Sequence, residues 1–525
     1  MSAGHDVIVV GSGPAGTFAT LKLQGLNVLM LDVGKSAPER LGEDAGLIEL
    51  RRQGRAQADD ILGPDFESLH NIGRDYLTPK LKAPQLRYVA ESWRELSPVV
   101  EQGFETLMSF ARGGLANAWG AGTYRFNDVE LDAFPFAADA LEPFYDEATE
   151  HIGIAGRDDD AGEFFGSTKG LLGGLELSYV GRDLLAAYEK RRSFFRRRGV
   201  VLGYPRIAVL TEDHGERSAY RYTGAEYFRP RLPGIYNPAF TLEDLVDANK
   251  VDYRAGRLVE SFEEDEQGVT VTCRDLETGA VETHRARRLV LAAGALNTAK
   301  IVLRSRRDTD ARLPILDNLV SFIPLLNLAR VGWSPPKRSL PLQLNLIYSG
   351  PLEDEAVQAS CYGMSAPMAS DFAFEFPLSV GANLKLIKYV LPALTTIQLF
   401  YPDPGSPDNT LRLGDDDRLH IGYRPRERGR LERHLVSTFL RAGYFSLPAL
   451  CKTLPAGHSF HYAGTLPMRS APQSPYETDV DGLLHGTRGV YVADAANFST
   501  LPSKNLTFTI MANAMRIADG LRRRA

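Results

Sequence analysis

The stretch Asp6–Gly34, DVIVVGSGPAGTFATLKLQGLNVLMLDVG, leaves few choices of fold. Four apolar residues lead into Gly11-x-Gly13-x-x-Gly16, a helical segment follows, and a second apolar strand closes on Asp32, sixteen residues after Gly16. Gly11 suits the tight turn, Gly13 lets the backbone approach a pyrophosphate, and Gly16 lets helix and strand pack closely. The helix start offers N–H groups and a partial positive charge to phosphates, while Asp32 can accept from a ribose hydroxyl. A lone glycine motif of this kind is equally a plain tight turn. The flanking strand and helix and the spacing to the acid favour a dinucleotide site.

The rest of the chain is organised around that unit. At 525 residues it exceeds one ordinary core, so two interleaved domains are expected. Residues 36–100 are charged and proline-rich, as a surface excursion, a lid or an assembly arm would be. The segment Phe110–Gly122, FARGGLANAWGAG, packs four glycines and four alanines around Trp119. Such density suits backbone lying against a flat ligand, with a packed glycine corner as the alternative. Residues 251–303 read as a small antiparallel sheet, then the buried strand RRLVLAAGA and a helix from about Asn297. Residues 306–454 carry no phosphate-type motif, and LPLQLNLIYS and TTIQLFYPDP are candidate strands there. The chain then returns to the nucleotide fold with the strand RGVYVADAANF, ending at Asp494, and a helix from about Asn505 whose apolar residues recur at helical spacing.

The expected class is mixed α/β: a Rossmann-type nucleotide domain interleaved with a smaller, sheet-containing substrate domain. The first would comprise residues 1–35, 101–165, 205–305 and 455–525, and the second 166–204 and 306–454.

Charge and cysteine usage exclude several other classes. A net charge of −6 gives no electrostatic case for nucleic acid. Cys273, Cys361 and Cys451 lie far apart without a C-x-x-C, which argues against disulfides and a cysteine-rich metal site. The first residues read as a buried strand rather than a signal peptide. The longest apolar stretches, Leu313–Trp333 and Leu386–Phe400, are broken by Asp317, Asn318, Pro324, Lys388 and Pro392. Neither supplies the ~20 apolar residues of a spanning helix. A cytoplasmic protein is expected, with membrane contact at most peripheral. The basic cluster Lys190–Arg198 reads as a solvated helix face.

Four separated motifs agree in order: GSGPAG...LMLDVG, ARGGLANAWGAG, LVLAAGALNTAKIVL, and the terminal block from FHYAGTLPM through NLTFTIMANAMRIAD. Together they resemble the glucose/methanol/choline (GMC) family of flavin oxidoreductases. The wording of the glycine segment is similar to the branch containing pyranose oxidases and related bacterial sugar or alcohol oxidoreductases.

The resemblance implies FAD. Gly11, Gly13 and Gly16 would hold its pyrophosphate, Asp32 the adenosine ribose, and Val259 the adenine. Gly113, Gly114 and Asn117 would lie along the isoalloxazine, Asp494 and Ala495 against the ribityl-diphosphate, and Thr507 at the pyrimidine edge. Gly294, in the AAGA turn, is counted with them. Some pyranose oxidases attach FAD through a histidine in the glycine segment; here Ala116 and Asn117 stand there, so non-covalent FAD is expected.

His461 heads the family's H-x-x-G-T, and Asn505 falls at the second catalytic position, which is histidine or asparagine among relatives. The usual proline after it is Leu506 here. A neutral imidazole can take the hydroxyl proton of an alcohol near pH 7 while hydride leaves the same carbon. An amide NH2 can stabilise the developing alkoxide. The alternative for His461 is a packed core residue; His485 reads as a turn residue.

Three readings follow: oxidation of a CH–OH group on a sugar, polyol or glycosylated metabolite; oxidation of an apolar ring alcohol; or a structural FAD in a lyase or binding protein. The electron acceptor, whether oxygen, a quinone or a protein, is left open by the sequence.

Overall fold

The computed structural model describes residues 4–37, 52, 79–336, 338–364 and 378–524. Its first layer is a parallel sheet. His5–Val10 pairs with Val28–Leu31 on one side and with the second half of Val281–Leu291 on the other. Asp252–Arg254 extends the sheet beyond Val28–Leu31, and Val490–Val492 extends it beyond Val281–Leu291. The first half of Val281–Leu291 instead pairs antiparallel with Gly268–Asp275, which pairs with Arg257–Asp265. One long strand therefore serves both the parallel core and an antiparallel ribbon.

The continuous apolar runs VIVV and LVL follow from burial of this sheet on both faces. Ile8 and Val10 pack with Ala299 and Val302 of the helix Ala295–Arg306. Val7 and Val9, pointing the other way, join Ala15, Ala19, Ala514 and Ala518 from the helices Pro14–Lys22 and Thr507–Arg523. Small residues on these helices bring them close to the sheet. The strand order reverses between His5–Val10 and Val281–Leu291, and the crevice at such a reversal is where open α/β sheets bind ligands.

A second sheet of six antiparallel strands stands over that crevice. Its order is Lys452–Thr453, Val320–Leu326, Leu394–Phe400, Val357–Gly363, Leu342–Tyr348 and Val200–Gly203. Both candidate strands of the middle region are present, Leu342–Tyr348 and Leu394–Phe400.

One expectation needs amendment. Residues 38–51 and 53–78 of the proposed surface arm lie outside the described residues. Its described end does not run over the surface: Leu86, Val89 and Trp93 are buried, because these apolar side chains join the two main cores. The basic cluster near Lys190 is a solvated face as read, with Arg191, Arg192 and Arg196 exposed. Among the described residues no helix is long and apolar enough to cross a membrane.

Candidate active site

Between the two sheets lies a cavity of about 530 Å3. Ten of the fourteen sequence-predicted site residues line it: Gly11, Gly13, Asp32, Val259, Gly294, Asp494, Ala495, Thr507, His461 and Asn505. At one end the glycine turn supplies bare backbone. Gly11 has φ 96°, and a Cβ there would meet Ala292 O at 2.6 Å, so only glycine fits. At Gly13 and Gly294 a Cβ would meet nothing within 4 Å, which leaves room for a ligand against the chain. Gly16 does not face the cavity; a Cβ on it would run into Gly11 O, which fits its packing role.

Asp32 is buried, which pushes its carboxyl up to about 6 against the opposing hydrogen bonds from Ser12 and Tyr253. Ser12 was not singled out in the sequence. Its hydroxyl donates to Asp32 and accepts from Gly113 N–H at 3.2 Å, tying the glycine segment to the first turn. The Asp494 carboxylate is held inside the protein, accepting from Gly294 N–H at 2.8 Å, Ala496 N–H at 2.9 Å and Thr298 Oγ1 at 2.5 Å. It fixes the turn after Leu291.

Besides Gly16, three predicted contacts do not reach the cavity. Gly113, Gly114 and Asn117 lie behind it, and Leu115, Ala116, Ala118 and Trp119 form its wall instead. The Asn117 amide is saturated: its oxygen accepts from Tyr88 OH and Asn237 Nδ2 at 2.7 and 2.8 Å, and its NH2 donates to Arg112 O and Gly114 O at 2.9 and 2.7 Å. It holds the loop's shape.

The fit of this end to a flavin dinucleotide has a further sign. Lys300, on the helix after the Gly294 turn, lines the cavity and is 3% exposed, yet its Nζ has no hydrogen-bond partner among the described residues. Burial lowers its pKa to about 8. A buried donor without an acceptor marks a missing partner, and a dinucleotide offers several acceptors. Nothing in its sequence setting distinguished this lysine from a helix-surface residue.

The other end holds the proposed chemistry. The pair Leu316–Asp317 and Tyr462–Ala463 forms a short antiparallel ladder that carries His461 to the cavity wall. His461 is buried, and its ring stacks on Phe400 with centroids 5.2 Å apart. Desolvation lowers its pKa to about 4, so the imidazole is neutral near pH 7. Its Nδ1 lies 2.9 Å from Asn318 Oδ1 and its Nε2 lies 3.3 Å from Asn505 Nδ2. Asn505 Oδ1 accepts from Thr507 N–H at 3.1 Å, which turns the amide NH2 toward the histidine. The dipole of the long helix Thr507–Arg523 adds positive potential at this point. His485 is exposed in a turn, as read.

The six-stranded sheet closes this end. Side chains alternate along its strands, and in Leu394–Phe400 the residues Ile397 and Leu399 enter the apolar core behind the sheet. Thr396, Gln398 and Phe400 face the cavity, beside Gln358, Ser360 and Tyr362 of the neighbouring strand. Gln358 Oε1 is buried and has no partner among the described residues.

Comparison with known proteins agrees with this geometry. Residues 446–514, which span His461 and Asn505, match the family model described as GMC oxidoreductase. Paromamine 6'-oxidase of Streptomyces fradiae is 27% identical, over 98% of this chain and 91% of that protein. C-glycoside 3-oxidase of Microbacterium trichothecenolyticum is 24% identical, over 97% and 95%. 6'''-Hydroxyparomomycin C oxidase of Streptomyces lividus is 26% identical, over 98% and 91%. Among solved structures, pyridoxine 4-oxidase from Mesorbium loti superposes with a TM-score of 0.58, at 14% identity and over 99% of both chains. The terminal block thus matches the GMC oxidoreductase model, and the chain is similar over nearly its whole length to these three oxidases.

Proposed function

We propose that this chain oxidises a CH–OH group of a sugar-like or glycosylated small molecule, with FAD bound non-covalently in the cavity. The observation that carries the reading is the His461–Asn505 pair, held 3.3 Å apart in the wall of a cavity whose other end is a dinucleotide cradle. FAD, when bound, supplies the acceptor for hydride. Gly11, Gly13, Asp32, Val259, Gly294, Lys300 and Thr507 would hold it. His461 Nε2 would take the hydroxyl proton, and the Asn505 NH2 would donate to the substrate oxygen as negative charge grows there.

A polyhydroxylated substrate is supported by the cavity roof. The two apolar stretches that suggested an apolar ring alcohol send their greasiest residues, such as Ile323, Leu325, Ile397 and Leu399, into the core behind the sheet. They offer Thr396 and Gln398, along with Phe322 and Phe400, to the cavity. The three whole-length relatives are named for glycosides or aminoglycosides, in line with that roof. The glycine segment has no histidine at the attachment position, which supports non-covalent FAD. Three free cysteines suit a cytoplasmic location.

Anaerobic flavin bleaching tests the reading. Glycosides and aminosugars should bleach the flavin of the wild-type chain, while sterols and terpenoid alcohols should not. His461→Ala should keep its flavin yet bleach roughly 10²–10⁴-fold more slowly. A chain that no alcohol reduces would point to a structural flavin, and fast bleaching by His461→Ala would remove the base from its place.

A further inference from the structure

We infer that Asn318 sets the tautomer of His461, holding its proton on Nδ1 so that Nε2, in the cavity wall, is the ring's acceptor. The inference rests on the reading of His461 as proton acceptor and names the positioning residue that makes it one.

A side-chain amide can point either way round, and its partners decide which. Asn318 Nδ2 lies 2.8 Å from Tyr401 O and 3.1 Å from Pro502 O. Both are carbonyl oxygens and can only accept. Turning the amide over would set Oδ1 against two other oxygens in a buried site, so Oδ1 is the atom that faces His461. It lies 2.9 Å from Nδ1. An amide oxygen cannot donate, so Nδ1 carries the hydrogen, and in a neutral ring Nε2 is then the acceptor.

The opposite side of the ring gives the same answer independently. Asn505 Oδ1 is occupied by Thr507 N–H at 3.1 Å, which leaves Nδ2 toward Nε2 at 3.3 Å. A donor there matches a lone pair and clashes with a hydrogen. Two amides, each fixed by backbone groups, specify one tautomer from opposite ends.

The fold explains why Asn318 is available. Leu316 pairs with Ala463 and Asp317 with Tyr462 in an antiparallel ladder. Continuing that register by one step sets Asn318 opposite His461. Asp317 serves the backbone instead: it accepts from Gly457 N–H at 2.8 Å and from Ser459 Oγ, which itself accepts from His461 N–H at 2.8 Å. Adjacent residues thus fix the main chain and the ring of the same histidine. The ring's flat face meets Phe400. The Asp317 side chain bonds to the turn and not to the ring, and Asp403, which accepts from Tyr423 OH, bonds to the backbone N–H of Asp317.

Long-range 1H–15N spectra of the FAD-loaded chain, labelled in histidine, read the tautomer directly. His461 signals are identified by their loss in His461→Ala. The expected pattern is a proton-bearing Nδ1 and a pyridine-type Nε2; a proton on Nε2 overturns the proposal without any variant. Asn318→Leu removes the acceptor at nearly constant shape. It should lose the single tautomer and slow flavin reduction by about 10-fold to 100-fold, the scale on which loss of the orienting partner of a metal-bound imidazole acts. An Asn318→Leu chain with both the wild-type signature and the wild-type rate overturns the proposal. Normal reduction by His461→Ala would instead reject the base assignment, while the spectrum still decides what Asn318 does.

Discussion

His461 is a histidine whose surroundings suppress its charge. Its ring is buried against Phe400 and between two amides, and this holds its pKa near 4 rather than the ordinary value near 6.5. If His461 is the proton acceptor proposed above, the neutral form is the active one, and activity is lost as pH falls through the lowered value and not before. The rate of flavin reduction should stay flat from neutral pH down to about pH 5 and decline only below that. Stopped-flow reduction across pH 4 to 8 checks this, and a fall already complete near the ordinary histidine range would show an exposed or differently partnered ring. Lys300 makes the opposite case, a charged type of side chain buried with no hydrogen-bond partner among the described residues. If the dinucleotide supplies its acceptor, Lys300→Met should weaken FAD binding by roughly 10-fold, the worth of one hydrogen bond to a charged group. Titration of the flavin-depleted chain measures it, and unchanged affinity would place Lys300 away from the cofactor.

Among the elements, the strand Leu394–Phe400 shows how one stretch serves two purposes. Alternation sends Ile397 and Leu399 to the core and Thr396 and Gln398 to the cavity, so the strand is greasy in composition and polar at the site. Gln398→Leu should raise KM for a glycoside by about 3-fold to 10-fold with little change in the limiting rate of flavin reduction, since it removes binding equal in ground and transition states. An effect on the limiting rate alone would argue against a binding role.

Much of the fold was legible because its signals are local. The glycine turn with its flanking strand and helix, the ribbon around Gly268–Asp275, and the long terminal helix all carry their periodicity in neighbouring residues. The motifs around His461 and Asn505 singled them out, and the structure brings the two together in the cavity wall. Asn318 was not, since it entered only as an interruption of an apolar stretch and acquires its partner through a ladder between distant segments. Asn117 misled for the converse reason: small residues around it signal close packing, which the loop uses for its own amide clamp as well as for the cavity wall. The buried end of the 79–100 segment was hidden by charged and proline-rich surroundings, although Leu86, Val89 and Trp93 carried the apolar signal.

At the scale of the whole molecule, the cavity is the space between two sheets of different kinds, one with a parallel core and an antiparallel ribbon, the other antiparallel throughout. The wall on the nucleotide side comes from Gly11, Gly13, Asp32 and Gly294, and the roof from Gln358, Thr396, Gln398 and Phe400. A dinucleotide held there without a covalent bond touches segments far apart in sequence and is lost when they separate on unfolding. Folding and FAD binding are then linked by mass action, and each tenfold rise in free FAD above its dissociation constant should add about 1.4 kcal/mol to stability. The melting temperature should climb steadily with the logarithm of added FAD. Acid precipitation should release the yellow colour to the supernatant. A flavin bonded to the chain would behave differently, since nothing remains to exchange: the melting temperature would ignore added FAD and the pellet would stay yellow. Thermal melts over several decades of FAD, run beside the acid test, separate the two outcomes. A flat melting temperature with colour in the pellet would overturn the non-covalent assignment and direct attention to which residue in the cavity wall forms the bond.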